Sequence, residues 1–165
     1  MTAVLFRVLG PLEVEIDGAP CSLPGARVPA LLTALLLQPN TVVPASRLLE
    51  SLWGEELPEN APNALHRVVA RLRSRLGPGG SAVLTRSPGY LLVVDEQAID
   101  AHRFEAGHRR ARALSAEDPA WAVAVLDEAL ALWRGPAYAQ FADGFAQAPA
   151  ARLEELRVAA LEDRA

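Results

Sequence analysis

Asn63–Leu76, NALHRVVARLRSRL, is the stretch that decides how the first half of this chain folds. Leu65, Val68, Val69, Leu72 and Leu76 recur at the three- and four-residue spacing of a buried helix stripe. At about 100° per residue, Asn63, His66, Arg67, Ala70, Arg71 and Ser74 point away from that stripe, and Arg73 and Arg75 flank it on opposite sides. A merely solvated helix face interleaves Glu with Arg so that the two pair one turn apart. This face has no acidic residue at all, so its charge is left for an external anion. Shortly after it, Leu84–Val93 reads LTRSPGYLLV, two apolar strands around a Pro-Gly turn with Thr85 and Arg86 on the approach. A positive helix followed by a positive hairpin is the outline of a body that holds a nucleic-acid backbone and reads a groove.

Working towards the N-terminus, EELPENAPN is an acidic, proline-containing loop in which Asn60 suits the N-cap and Pro62 the first turn of the basic helix. SRLLESLW, Ser46–Trp53, predicts a helix with Leu48, Leu49, Leu52 and Trp53 inward, stopped by Gly54. Val28–Leu37 is apolar nearly all round and predicts the central core helix, with Pro29 tolerated in its first turn. Val42-Val43 reads as a short extended link between these two helices. Residues 4–9 and 12–16 predict strands, and Asp17-Gly18 turns the chain into a third around Cys21–Leu23. Phe6, Val8, Leu12, Val14 and Ile16 are the expected inward positions, and Tyr90 is expected to pack the hairpin onto the body. Residues 1–96 therefore read as an α+β winged helix-turn-helix domain: N-terminal antiparallel sheet, three helices, C-terminal hairpin.

From Asp100 onward the strand signal disappears. Helices are expected over Asp100–Leu114, from Pro119 with Ala122, Val125, Leu126, Ala129 and Trp133 on one face, and from about Ala148 with Leu153, Leu156 and Ala160 on one stripe. Gly135-Pro136 and a loop carrying Tyr138, Phe141 and Phe145 separate the last two. Two helices in about 34 residues match a tetratricopeptide-like unit, so residues 97–165 read as an all-α domain that stops part-way through its second unit.

Composition bounds the function. The chain has 165 residues and a net charge of −4, yet residues 61–90 hold Arg67, Arg71, Arg73, Arg75 and Arg86 without one Asp or Glu, so the remainder carries −9. That asymmetry fits a localised polyanion site and argues against indiscriminate binding. Cys21 is the one cysteine, so no intramolecular disulfide forms and a cytoplasmic setting is expected. No apolar run is long enough to span a membrane, and Gly10-Pro11 followed by Glu13 and Glu15 is unlike a secretory signal. Gly77–Gly80 lacks the Lys-Ser/Thr of a phosphate loop, and His102 and His108, six apart on one helix, do not share a metal-binding face. Neither an enzyme nor a bound cofactor is expected.

In order, RVLGPLEVEIDG, ALLTALLLQPNTVV, RLLESLWGEELPENAPNALHRVVARLRSRLG, TRSPGYLL and FADGFAQAPAARLEELRVAALED resemble the SARP-type, AfsR-like transcriptional activators across practically the whole chain. That family joins an OmpR/PhoB-type winged helix to a helical bacterial transcriptional activator domain. The resemblance implies binding to direct repeats in double-stranded promoter DNA, self-association on that DNA, recruitment of RNA polymerase holoenzyme, and control of a biosynthetic gene cluster. On the positions of this chain, Asn63, His66, Arg67 and Arg71 would lie nearest base edges, with Ala70 leaving room for a thymine methyl and Ser74 on the same outward face. Arg47, Arg73 and Arg75 would meet phosphates, Arg27 a phosphate or polymerase, and Thr85 and Arg86 the backbone or minor groove from the wing. The family enters its first helix with a basic run, whereas here Ala26-Arg27-Val28-Pro29 offers Arg27 alone. The competing reading makes the helical half a protein-interaction module whose winged helix binds protein.

Overall fold

The structure, a computed structural model, describes residues 2–165. These divide into two compact units. One holds the chain up to Leu5 together with Glu13–Asp95, and the other holds Phe6–Leu12 together with Glu96–Ala165.

The first unit is a winged helix. Strands β1 (Val4–Arg7), β2 (Glu13–Ile16) and β3 (Ala19–Cys21) form a sheet in that order. Asp17 and Gly18 both take positive φ, the geometry of a two-residue hairpin turn whose twist suits the flanking strands. Such a turn pairs its flanking residues directly, Ile16 with Ala19, so β3 starts at Ala19 and ends at Cys21, earlier than the expected Cys21–Leu23. Phe6, Val8 and Val14 are buried as their alternation requires, while Leu12 and Ile16 are half-buried.

Helices α1 (Arg27–Leu36), α2 (Ala45–Trp53) and α3 (Ala61–Leu76) pack on one another. Every α1 residue from Val28 to Leu36 is buried, which is why its sequence shows so little amphipathic contrast. On α2 only Leu48 is fully buried; Leu49, Leu52 and Trp53 are half-buried, so the expected core role of Trp53 does not hold. On α3 the stripe Leu65, Val68, Val69, Leu72 and Leu76 is buried, with Ala64 beside it. Each large side chain withdrawn from water in this way stabilises the fold by about 1.5–3 kcal/mol. Asn60 occupies the N-cap, but in a left-handed conformation without a side-chain cap; its backbone carbonyl accepts from Asn63 and Ala64 N–H at 3.0 and 3.1 Å.

After a 3-10 segment, Gly77–Ala82, the wing strands β5 (Val83–Arg86) and β6 (Gly89–Leu92) pair antiparallel, Thr85 opposite Tyr90. The expected link at Val43 is in fact β4 (Val43–Pro44), which joins the wing sheet in the order β4-β6-β5. Two residues of β-branched and proline character carry too little alternation to announce a strand. Gly89 is required there, because a Cβ would collide with the Val43 carbonyl of the neighbouring strand. Asn40 extends the pairing: its side chain donates to the Val94 carbonyl and accepts from the Val94 N–H, both at 2.9 Å.

The second unit is built from α4 (Asp100–Leu114), α5 (Pro119–Leu130) and α6 (Gln147–Arg164). Ala122, Val125, Leu126 and Ala129 are buried on α5, and Trp133 beyond its end meets Phe104 edge-to-face at 5.3 Å. Gly107 lets α4 and α5 approach closely, since a Cβ on it would lie 2.9 Å from that of Ala129. The N-terminal segment Phe6–Leu12 belongs to this unit. The buried Asp100 carboxylate accepts from Val8 N–H at 2.8 Å and Leu9 N–H at 3.2 Å, and the Val8 and Leu9 carbonyls accept from Tyr138 and Arg134 N–H at 2.7 and 2.8 Å. At the far end of α6, Asp163 bonds both Arg112 Nε at 2.9 Å and His108 Nε2 at 3.0 Å. Among the described residues no helix is long and apolar enough to cross a membrane.

Asp100→Asn should lower stability by about 1–3 kcal/mol in denaturant unfolding, because an amide can satisfy one of the two backbone donors but not both. The two aspartates respond to pH in opposite senses. Burial raises Asp100 above 3.8, against the pull of the Val8 and Leu9 N–H groups and of Arg134; its contribution is full below that ordinary value and is lost as pH rises through the folded one. Arg112, then His108, hold Asp163 below 3.8, so its contribution is present above 3.8 and is lost as pH falls through the folded value. Asp163→Asn should therefore flatten the loss of thermal stability on acidification below pH 3.8 relative to the unaltered chain, as measured by melting temperature.

Candidate nucleic-acid interface

Burial of the α3 stripe turns its other face outward. Asn63, His66, Arg67, Ala70, Arg71, Ser74 and Arg75 are all exposed, and Arg73 is half-buried. The two flanks of this face differ. Towards the wing, the ring of His66 lies edge-on to Tyr90 at 6.2 Å, with Nδ1 3.5 Å from the Tyr90 hydroxyl. Tyr90 itself is buried, as its expected packing role requires. On the same flank Arg73 donates from Nε to the Val83 carbonyl and from Nη2 to Thr85 Oγ1, both at 2.9 Å. Arg73 thus ties α3 to β5, and Thr85 is engaged from within the chain.

On the opposite flank, Arg67, Arg71, Ser74 and Arg75 line a cleft of about 740 Å³. Its other walls are the entry to α1, Pro24 to Val28, and Trp53 at the end of α2; Ala64 and Val68 lie against the same space. The Arg27 guanidinium lies over the Trp53 ring, 4.8 Å from its centroid. Among the described residues, Arg27, Arg67, Arg71 and Arg75 have no carboxylate partner. Arg86 is exposed at the tip of the wing and donates to the Thr85 carbonyl at 2.9 Å, close to the turn at Ser87-Pro88. Arg47 is exposed on α2, outside the cleft lining. The last turn of α3 is held from below, where Cys21 Sγ donates to the Arg75 carbonyl at 3.2 Å.

The structure therefore gathers the α3 residues with Arg27 on one flank and with Thr85 on the other. Trp53 is the site residue that the sequence did not reveal. Its position at the end of an apolar helix stripe is indistinguishable from a core position until the start of α1 is seen beside it.

Comparison with known proteins places both units. Residues 25–92 match the family described as "Transcriptional regulatory protein, C terminal", and residues 99–165 match the "Bacterial transcriptional activator domain". The chain belongs to the SARP family. It is 34% identical to the transcriptional regulator RedD of Streptomyces coelicolor over 97% of this chain and 48% of RedD. It is 35% identical to the regulatory protein DnrI of Streptomyces peucetius over 96% of this chain and 62% of DnrI. The regulatory protein AfsR of Streptomyces coelicolor is 36% identical over 98% of this chain and 16% of AfsR. Among solved structures, Mycobacterium tuberculosis EmbR, determined in complex with a low affinity phosphopeptide, superposes with a TM-score of 0.91 at 30% identity, over 99% of this chain and 45% of EmbR. The SARP-family chain thus spans about half the length of RedD, and its relatives are named as transcriptional regulators. The winged helix followed by a helical unit, expected from the order of motifs, is the fold of this SARP-family chain.

Because Arg73 bridges helix and wing, Arg73→Met should loosen the hairpin. We expect a loss of about 1 kcal/mol and faster amide exchange along β5 and β6, with α1 amides unchanged in a residue-resolved exchange measurement.

Proposed function

We propose that this SARP-family chain is a sequence-specific DNA-binding transcriptional activator. The observation that carries the proposal is the outward face of α3, where Arg67 and Arg71 are exposed without acidic partners between a wing on one flank and a cationic cleft on the other. Helix α3 enters the major groove. Asn63, His66, Arg67, Ala70, Arg71 and Ser74 meet base edges, where Arg pairs with guanine and Asn with adenine through two hydrogen bonds. Arg27, Arg47, Arg73 and Arg75 contact phosphates, which fix register without reading sequence. Arg86 and Thr85 carry the wing to the neighbouring backbone or minor groove. Arg73 meets DNA with whatever donors its bonds to Val83 and Thr85 leave over.

On this reading, residues 1–96 recognise direct repeats in a promoter, copies of the protein associate along them, and residues 97–165 contribute to contact with RNA polymerase holoenzyme. The controlled genes form a biosynthetic cluster in the cytoplasm of the producing cell. The support for this part is the kinship with RedD, DnrI and AfsR, all named as regulators.

A selection from random duplexes followed by salt titration tests the proposal. Binding to the selected repeat should weaken steeply as salt rises. Arg67→Ala and Arg71→Ala should each cost about 1–3 kcal/mol and relax the preference at one base position. Failure of the intact chain to retard any duplex at low salt would leave the DNA-binding reading without support and favour a protein partner.

A further inference from the structure

We propose that Arg27 and Trp53 form a phosphate clamp, in which the Trp53 ring positions the Arg27 guanidinium to hold a DNA backbone phosphodiester on the flank of α3 away from the wing. The clamp rests on the DNA-binding reading above and assigns a task to Trp53, which nothing in the sequence separates from a core residue.

Four observations converge on it. Trp53 is half-buried, and the guanidinium of Arg27 covers its ring at 4.8 Å. A guanidinium held over an aromatic face by cation–π attraction keeps N–H groups free at its edge, where a phosphate can be met in two parallel hydrogen bonds. Arg27 makes no side-chain hydrogen bond or ion pair among the described residues, so that edge is unspent. Across the same cleft lie Arg71 and Arg75, also without carboxylate partners, so the cleft has the charge to draw in an anion but no anion of its own.

The local backbone adds to the same field. Ala26, at the N-cap of α1, provides no side-chain cap, and the first turn of α1 carries no acid. Residues Pro24 to Val28 line the cleft, so the positive end of the α1 dipole opens onto it. The opposite flank of α3 is occupied by the Arg73 link to the wing. The two backbones bordering a major groove about 12 Å wide are then met from opposite flanks of one helix, by the wing on one side and the clamp on the other. A single arginine can hold this position because stacking fixes it in place, which accounts for a clamp at the one basic residue in Ala26-Arg27-Val28-Pro29.

The test is a salt titration on the selected repeat and on a scrambled duplex. Arg27→Ala should weaken binding to both by a similar factor and lower the slope of log affinity against log salt by about 0.9. Trp53→Leu should reproduce most of that loss, Trp53→Phe should keep most of the affinity, and Trp53→Leu should cost nothing further in an Arg27→Ala background. An unchanged slope for Arg27→Ala, or additive losses from the two substitutions, overturns the clamp. If Trp53→Leu fails to fold, Arg27→Ala and Trp53→Phe decide the matter, since both leave the apolar contacts of Leu48 and α3 in place. Loss of recognition in Arg67→Ala and Arg71→Ala with Arg27→Ala silent removes the clamp alone; an intact chain that binds neither duplex removes the DNA-binding reading as well.

Discussion

The burial of one apolar stripe on α3 sets the rotation of that helix about its own axis, and every feature of the candidate interface depends on that angle. Leu65, Val68, Val69, Leu72 and Leu76 are inside the winged helix, so the arc through Asn63, Arg67, Ala70 and Ser74 is outside. A shift of the stripe by one residue would rotate the helix by about 100°, which would carry Arg67 and Arg71 towards the core and make the fold unaffordable. The hydrophobic core and the arginine-bearing surface are therefore two consequences of a single periodicity. The wing and the α1 entry then give this face two unlike borders, one hydrogen-bonded through Arg73 and one open and cationic.

How much of this was legible in the sequence depends on the length of each element and on the range of its partners. The long periodic helices α3, α4 and α6 were legible to within a residue or two, because each carries several turns of pattern, whereas α5 ends at Leu130, short of the expected Trp133. The two-residue β4 was not, because a strand that short is made by its neighbour, here Gly89 and Tyr90 of β6, and not by its own residues. Trp53 was misplaced for a related reason. Its environment is set by Arg27, which stacks on it from an element 26 positions away in the chain, and helical periodicity says nothing about contacts of that range. The arginine face itself was legible from composition alone. The division of that face into a wing flank and a cleft flank required the geometry of Tyr90, Thr85 and the α1 entry.

The charge distribution sets the α3 face apart in a second way. A chain with net charge −4 concentrates five arginines in residues 61–90, so the remainder carries −9. On the proposed DNA-binding reading, this asymmetry orients the molecule before contact as well as holding it afterwards. Because exposed charges are screened over about 8 Å at physiological ionic strength, that orientation acts at short range, where the shape of α3 and the wing already limits the possible approaches.

The placement of Phe6–Leu12 in the helical unit has a consequence for how the protein is made. Val8 binds the carboxylate of Asp100, 92 residues further along, and everything in Glu13–Asp95 lies between them in sequence. On the ribosome, β1 emerges early and meets β2 soon after, but the N–H groups of Val8 and Leu9 have no carboxylate partner until α4 has been synthesised. The two units are thus interleaved in sequence, with Phe6–Leu12 of the helical unit lying between two segments of the winged helix. The bond between Val8 and Asp100 therefore closes a loop that contains all of Glu13–Asp95.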